Sequence, residues 1–264
     1  MFDGLFDLSG KVAVVTGGYG YLGVGMVKAL LSCGAKVIVA GRSREKFADA
    51  FSCCSDDRLE FTYLDICDGE SVKAFFKSVR NSYGRLDVLV NNAQASRGSS
   101  QENLSDEDWS YSLDGIVGCV YKTIREVLPI MRNQGGGKII NISSMYGLVS
   151  PDFDSLYKGA DCEKYLNPPQ YGAAKAAMLQ LTRYFAVLLG KDNIQVNAIA
   201  PGPFPNLRVQ KENPEFIERL KDKNPLHQIG VPDNLSGALI LLSTRASAFI
   251  TGQTIQVDGG WTIW

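Results

Sequence analysis

The chain has 264 residues, with 27 lysines and arginines against 28 aspartates and glutamates, which gives a formal net charge of -1. This balance excludes the strongly basic surface on which nucleic-acid binding depends. The only histidine, His227, leaves no histidine pair for a zinc site, and a serine–histidine–aspartate triad would depend on this one residue.

Seven short runs rich in β-branched residues recur along the chain, with room for a helix between each run and the next. Near-continuous apolar runs of this kind are typical of strands buried on both faces of a parallel sheet. Between them, apolar side chains recur at helical spacing, as in Val72, Phe75, Phe76 and Val79. The sequence therefore predicts an α/β fold: a single Rossmann-type domain over residues 1–264, with a doubly wound, seven-stranded parallel sheet and helices on both faces. The predicted strands are Lys11–Thr16, Lys36–Ala40, Leu59–Leu64, Leu86–Val90, Lys138–Ser143, Ile194–Ile199 and Gln253–Val257.

A glycine-rich turn follows the first predicted strand, and the chain then continues into an apolar helix. Glycines let such a turn be tight and let backbone N–H groups approach a pyrophosphate at the helix N-terminus. No Gly-Lys-Ser/Thr follows, so a P-loop is excluded. The turn predicts a nucleotide-binding site formed by Gly17, Tyr19, Gly20, Tyr21, Leu22 and Gly23.

The second predicted strand ends close to where the ribose of a bound nucleotide lies. An acidic residue that would bind a ribose 2′-hydroxyl is absent at Gly41, whereas Arg42, with Arg44 behind it, can meet a 2′-phosphate. This pattern favours NADP(H). NAD(H) is the alternative, in which case Arg42 is a solvated residue that begins the next helix.

Two polar, proline-containing stretches interrupt the alternation of strands and helices. Residues 150–170 follow the fifth predicted strand, and residues 201–232 follow the sixth. Long irregular connections are often functional, and both leave the carboxyl edge of the sheet, where ligands bind in open α/β folds. We predict a substrate lid over residues 203–231.

The helix predicted after the first of these stretches contains Tyr171 and, one turn later, Lys175. This spacing places both side chains on one helix face, where the ammonium would favour the phenolate and lower the pKa of the phenol. Such a tyrosine can exchange a proton with an alcohol or a ketone. Together with the nucleotide-binding turn and with Ser143-Ser144 after the fifth strand, the pair predicts a hydride-transfer active site.

Several ordered motifs spread over about Leu8–Gly260 resemble those of the short-chain dehydrogenase/reductase family in its compact form. They are the glycine-rich turn, Asp65 after Tyr63-Leu64, Asn91-Asn92-Ala93, Asn141–Ser144, the pair Tyr171 and Lys175, Asn197–Gly202, and Thr251–Gly260. The resemblance implies that Tyr171 is the general acid/base, that Lys175 binds the nicotinamide ribose and lowers the pKa of Tyr171, and that Ser144 hydrogen-bonds the substrate oxygen. It also implies a homotetramer, and cofactor contacts from Asp65, Ile66, Asn91, Ala93, Pro201 and Gly202.

Four features depart from that family pattern. Tyr21 stands where compact members have glycine, and Gln94 stands where a glycine usually follows the Asn-Asn-Ala motif. Ile116 occupies the position of the usual catalytic asparagine, and Asp114 is the nearest polar substitute. Ser144 and Tyr171 also lie farther apart than in the family, which predicts an insertion over residues 150–169.

The predicted insertion should lie over the substrate, and its polar side chains suit a polyhydroxylated ligand. An ordinary surface or subunit-contact loop is the alternative. We expect Gln94 and Tyr157 to contact the substrate. The polar residues in the insertion are Asp152, Asp154, Tyr157, Lys158, Asp161 and Lys164.

The sequence thus predicts an NAD(P)-dependent oxidoreductase that interconverts a secondary alcohol and a ketone, with a sugar, polyol or nucleotide sugar as its small-molecule substrate. The alternative is a catalytically reduced NADP-binding sensor or regulator of the same fold, which Ile116 and the altered turn favour. Met1–Gly10 resembles no signal peptide, and no apolar run is long enough to cross a bilayer. We expect a cytoplasmic protein with no metal, membrane or nucleic-acid partner.

Overall fold

The computed structural model describes residues 4–157 and 165–263, in which seven strands form one sheet. Their order is β3-β2-β1-β4-β5-β6-β7, and every neighbouring pair is parallel. This confirms the predicted doubly wound parallel sheet. The strands are β1 (Val12–Thr16), β2 (Lys36–Gly41), β3 (Leu59–Tyr63), β4 (Val88–Asn91), β5 (Gly137–Ile142), β6 (Ile194–Pro201) and β7 (Thr254–Val257).

Helices connect the strands and cover both faces of the sheet. They are α1 (Tyr21–Ser32), α2 (Arg44–Ala50), α3 (Gly69–Tyr83), α4 (Asp106–Leu113), α5 (Cys119–Asn133), α6 (Pro169–Leu189), α7 (Leu207–Glu212), α8 (Pro214–Asp222) and α9 (Ser236–Ser243). Local chemistry sets their ends, as α3 illustrates. The Asp68 side chain accepts the N–H of Glu70 at its start, and Gly84, with a φ of 67°, ends it in the left-handed conformation.

Alternating side chains of the strands supply two hydrophobic layers, one on each face of the sheet. Val14 of β1 points into a layer shared with α3, α5 and α6, whereas its neighbour Val15 points into a layer shared with α1 and α9. Both valines are fully buried, as expected for central strands of a sheet covered on both faces. This two-sided burial explains why the strands appear in the sequence as near-continuous apolar runs.

The chain reverses its direction of travel across the sheet between β1 and β4. From β1 it proceeds outward through β2 to β3, then returns to β4 beside β1 and continues outward to β7. The crevice outside the carboxyl ends of strands at such a reversal is the usual ligand site of open α/β sheets. Within the described ranges, no helix combines the length and the apolar character needed to span a bilayer.

Candidate active site

A cavity of about 650 Å³ opens at this carboxyl edge and gathers most of the residues predicted to be functional. It lies beyond the ends of the central strands and is covered by the chain that follows β6. Its size is typical of small-molecule and cofactor sites. The predicted residues that line it are Gly17, Tyr19, Gly20, Tyr21, Leu22, Arg42, Asp65, Ile66, Ala93, Gln94, Ser144, Tyr157, Tyr171, Lys175, Pro201 and Gly202.

The glycine-rich turn is tight because its backbone packs against itself. Gly17 has a φ of 63°, in the region that favours glycine. A Cβ on Gly23 would lie 2.5 Å from the carbonyl oxygen of Gly17 and 2.7 Å from the Cα of Gly18. Gly23 therefore does not line the cavity but lets α1 start directly against the turn, with its N-terminus toward the cavity.

Asn92 fixes this turn, a role that the sequence analysis missed. Its side-chain amide donates to the carbonyl oxygens of Thr16 at 3.0 Å and of Gly17 at 3.1 Å. The hydroxyl of Thr16 in turn accepts the backbone N–H groups of Asn92 and Ala93, each at 3.0 Å. The ends of β1 and β4 are thus held together directly beneath the cavity.

Replacing Gly23 by alanine should disrupt this turn and weaken cofactor binding. The added Cβ meets backbone atoms that cannot rotate away, and overpacking of this kind costs about 1–3 kcal/mol. We expect the Kd for NADPH, measured by fluorescence titration, to rise about tenfold or more. Gly237→Ala in α9 is the matched control, because nothing lies within 4 Å of its added Cβ. Equal Kd values for the two variants would contradict the role given to Gly23.

The ring of Tyr19 leaves no room for a side chain at Gly41, the last residue of β2. A Cβ on Gly41 would lie 2.5 Å from the ring of Tyr19. The hydroxyl of Tyr19 accepts the backbone N–H groups of Arg42 at 3.0 Å and of Ser43 at 3.3 Å. Tyr19 thus occupies the space that an acidic side chain at position 41 would need, while the Arg42 side chain stays exposed at the rim of the cavity.

Asn91 is buried in a polar network and does not line the cavity. Its side-chain amide donates to Asn141 at 2.9 Å, and its carbonyl oxygen accepts the hydroxyl of Thr123 at 2.8 Å. Only 3% of its surface is exposed. Its neighbour Asn92, just after the end of β4, lines the cavity instead, and the cofactor contact expected of Asn91 stays a prediction.

Ser144, Tyr171 and Lys175 come together where β5 ends and α6 begins. Both hydroxyl-bearing side chains line the cavity, and that of Ser144 acts to lower the pKa of Tyr171. The Nζ of Lys175 lies 5.6 Å from the centre of the Tyr171 ring and donates to the carbonyl oxygen of Ile142 at 2.8 Å. Ser143 is not equivalent to Ser144, because its hydroxyl donates to the backbone of Lys175 at 2.9 Å.

Burial governs the protonation of both Tyr171 and Lys175. It raises the pKa of Tyr171, an effect that the Ser144 side chain only partly offsets. It lowers the pKa of Lys175 to about 8. In this arrangement burial, and not Lys175, has the largest effect on the pKa of Tyr171.

The position of the usual catalytic asparagine belongs to the hydrophobic core. Ile116 lies in a π-helical turn, Asp114–Gly118, between α4 and α5, and its side chain is fully buried. Its carbonyl oxygen accepts the thiol of Cys119 at 3.4 Å. Asp114 does not substitute for the asparagine, because it is half-exposed and pairs with Lys122 at 2.8 Å.

Aromatic side chains that the sequence analysis did not single out line the other end of the cavity. Tyr146, in a short turn after β5, hydrogen-bonds the hydroxyl of Tyr157 at 2.6 Å. Phe216 of α8 packs its ring 5.6 Å from the Tyr157 ring. The apolar face formed by Phe216, Ile217 and Leu220 was the available sequence signal for this contact.

The predicted lid and insertion both border the cavity. The lid contributes residues 203–206 and Val209 to the lining, and the Gln210 side chain in α7 acts to lower the pKa of Tyr21 in the glycine-rich turn. The insertion contributes Tyr157 and Asn167 to the lining. Its residues Lys158, Asp161 and Lys164 lie outside the described residues.

Comparison with known proteins assigns this architecture to a group of enzymes. A family model described as enoyl-(acyl carrier protein) reductase matches residues 21–262. The 7alpha-hydroxysteroid dehydrogenase of Bacteroides fragilis is 31% identical, covering 96% of this chain and 95% of its own length. The gluconate 5-dehydrogenase of Gluconobacter oxydans is also 31% identical, covering 98% and 97%. A solved RhlG/NADP active-site complex from Pseudomonas aeruginosa superimposes with a TM-score of 0.85 at 29% identity, covering 98% of this chain and 99% of that one.

Proposed function

The chain belongs to the short-chain dehydrogenase/reductase family, and we propose that it interconverts a secondary alcohol and a ketone with NADP(H), on a sugar, polyol or nucleotide sugar. The observation that carries this proposal is the joint position of Ser144, Tyr171 and Lys175 beside the glycine-rich turn. The matching family model and relatives are named as reductases and dehydrogenases, and the similarity extends over nearly the whole chain.

The residues at the turn fit a dinucleotide. Gly17 and Gly23 leave the backbone close-packed and free of side chains at the start of α1, so that N–H groups face the position of a pyrophosphate. Arg42 at the rim supplies a cation for a 2′-phosphate. Lys175, whose ammonium is held in place by Ile142, would bind the nicotinamide ribose. When bound, NADP(H) supplies or accepts the hydride.

The protein would donate or accept the proton and would orient the substrate. A carbonyl oxygen placed between the hydroxyls of Ser144 and Tyr171 accepts a hydrogen bond from each, and Tyr171 donates its proton as the ketone becomes an alcohol. The raised pKa of Tyr171 keeps the phenol protonated and therefore ready for reduction. Alcohol oxidation needs the phenolate, which an approach of the Lys175 ammonium would stabilise.

The test of the proposal is a turnover screen of ketones and secondary alcohols with NADPH, NADH and their oxidised forms. We expect ketone-dependent oxidation of NADPH by at least one compound, and a lower rate with NADH. A sensor without catalysis is the second candidate, and the buried hydrocarbon of Ile116 in place of asparagine favours it. Tight binding of NADPH without turnover of any compound would support the sensor and contradict the enzyme.

We also propose self-association through the outer faces of α5 and α6. Tyr121 and Tyr184 both pack against Phe185, Tyr121 is about half-exposed and Tyr184 is exposed, and Val187 is 87% exposed. Contiguous exposed apolar groups of this kind typically mark interaction sites, and a second copy of the chain is the occupant that a homotetramer requires.

Replacing Val187 by aspartate should therefore shift the protein toward smaller species. Sedimentation velocity should show a tetramer for the unmodified chain and a dimer or monomer for Val187→Asp, because the carboxylate would be buried unpaired in the interface. Phe6→Asp, at a half-exposed position away from these helices, should leave the tetramer intact. A tetramer that persists in Val187→Asp would overturn this interface.

A further inference from the structure

Four hydroxyl-bearing side chains line the substrate end of the cavity: Ser144, Tyr146, Tyr157 and Tyr171. The hydroxyls of Tyr146 and Tyr157 are hydrogen-bonded to each other at 2.6 Å. The backbone N–H of Tyr146 donates to the hydroxyl of Ser144 at 3.1 Å, which places Tyr146 directly beside the predicted catalytic residues.

Tyr146 is held rigidly in this position. It lies in the turn Met145–Gly147, where its N–H donates to the hydroxyl of Ser144 at 3.1 Å. Only 6% of its surface is exposed, because its ring packs in a cluster with Leu156, Phe216 and Trp261. A phenol oxygen has one donor and two acceptor positions, so the bond to Tyr157 leaves Tyr146 able to accept from a further polar group.

The surroundings of these hydroxyls are aromatic and aliphatic. Met145, Phe204, Val209, Phe216 and Leu220 contribute apolar surface to this end of the cavity. Among the described lining residues, the charged groups are Arg42 and Asp65, which lie at the nucleotide end, and Lys175, whose ammonium is bound to the protein backbone. The space between the walls suits a ring with apolar faces and hydroxyls at its edge.

We propose that the part of the substrate enclosed here is an uncharged ring with a hydroxyl next to the reacting carbon. Ser144 and Tyr171 hold the reacting oxygen, and Tyr146, positioned by Tyr157, holds the neighbouring hydroxyl. This inference rests on the proposed function and narrows its substrate class to a vicinal diol, or the corresponding hydroxyketone, on a ring.

The test compares vicinal trans-cyclohexanediol with cyclohexanol, which lacks only the second hydroxyl, as substrates for oxidation with NADP+. We expect kcat/KM to be about tenfold higher for the diol, the value of one well-made hydrogen bond. The neutral cyclic polyol myo-inositol should likewise be a better substrate than quinate, a cyclic polyol that carries a carboxylate.

The variant Tyr146→Phe keeps the packed ring and removes the hydroxyl. For this variant we expect the kcat/KM values for the diol and for cyclohexanol to lie within about twofold of each other. The Kd for NADPH should stay unchanged, which also shows that the variant is folded. Tyr165→Phe is the control for this ratio. The Tyr165 ring lines the same cavity, but its hydroxyl donates to Glu212 at 3.1 Å, so the preference for the diol should persist.

Equal turnover of the diol and cyclohexanol by the unmodified enzyme would overturn this inference and leave the proposed function standing. A preference for the diol that survives in Tyr146→Phe would overturn the role of Tyr146. Absence of turnover of every alcohol and ketone tested, with NADPH bound, would contradict the proposed function itself.

Discussion

Tyr171→Phe should lower kcat by about a hundredfold to ten-thousandfold, the usual contribution of a general acid/base, and leave the Kd for NADPH nearly unchanged. The substitution removes only the phenol oxygen, so the ring continues to pack between two hydrophobic clusters. A bound ketone loses its proton donor, whereas the hydroxyl of Ser144 remains in the cavity. Initial rates of NADPH oxidation, together with a fluorescence titration of NADPH, measure the two quantities.

Tyr63→Phe is the matched control for this variant. Tyr63 is exposed at the end of β3 and does not line the cavity, so its kcat should equal that of the unmodified enzyme. A Tyr171→Phe variant that retains kcat within a few-fold of the unmodified value would remove Tyr171 from the chemistry. A loss of NADPH binding in the same variant would instead show that the tyrosine serves the cofactor.

Arg42→Asp should reverse the cofactor preference. The substitution replaces a guanidinium at the cavity rim by a carboxylate, so that attraction for a 2′-phosphate becomes repulsion. Charge-assisted hydrogen bonds are worth about 1.5–3 kcal/mol, and we expect the Kd for NADPH to rise about a hundredfold. The Kd for NADH should stay the same or fall, because a carboxylate there can accept a ribose hydroxyl.

Arg44→Asp makes the same change of charge nearby and serves as the control. The guanidinium of Arg44 lies over the ring of Phe61, 5.1 Å from its centre, and the residue does not line the cavity. We expect its effect on the Kd for NADPH to be several times smaller than that of Arg42→Asp. Equal NADPH and NADH affinities in the unmodified protein would refute the interpretation of Arg42.

The sheet could be predicted from the sequence because its strands are buried on both faces. Each strand therefore appears as a continuous apolar run, and Val14 and Val15 illustrate how consecutive residues both enter a core. The glycine-rich turn, Arg42, and the Tyr171–Lys175 pair were also recognisable, because local backbone geometry or helical spacing fixes them. The single-domain organisation over residues 1–264 remains a prediction.

The parts of the site that were missed depend on contacts between residues distant in the sequence. Asn91 and Asn92 are adjacent and chemically identical, and only the pairing of β4 with its neighbours decides which one faces the cavity. The role proposed for Tyr146 depends on its hydrogen bond to Tyr157, which a loop places next to it. The raised pKa of Tyr171 likewise depends on burial in the folded chain.

The most direct measurement of the proposed activity is the fate of a deuterium label. The ketones of the screen are incubated with the protein and with NADPH that is deuterated at its transferable position, and the products are analysed by mass spectrometry. Hydride transfer predicts that at least one ketone yields an alcohol with deuterium on the carbinol carbon, and that Tyr171→Phe forms far less of it. Binding of the labelled cofactor without deuterium in any product would contradict the assignment of this chain as an NADP(H)-dependent oxidoreductase.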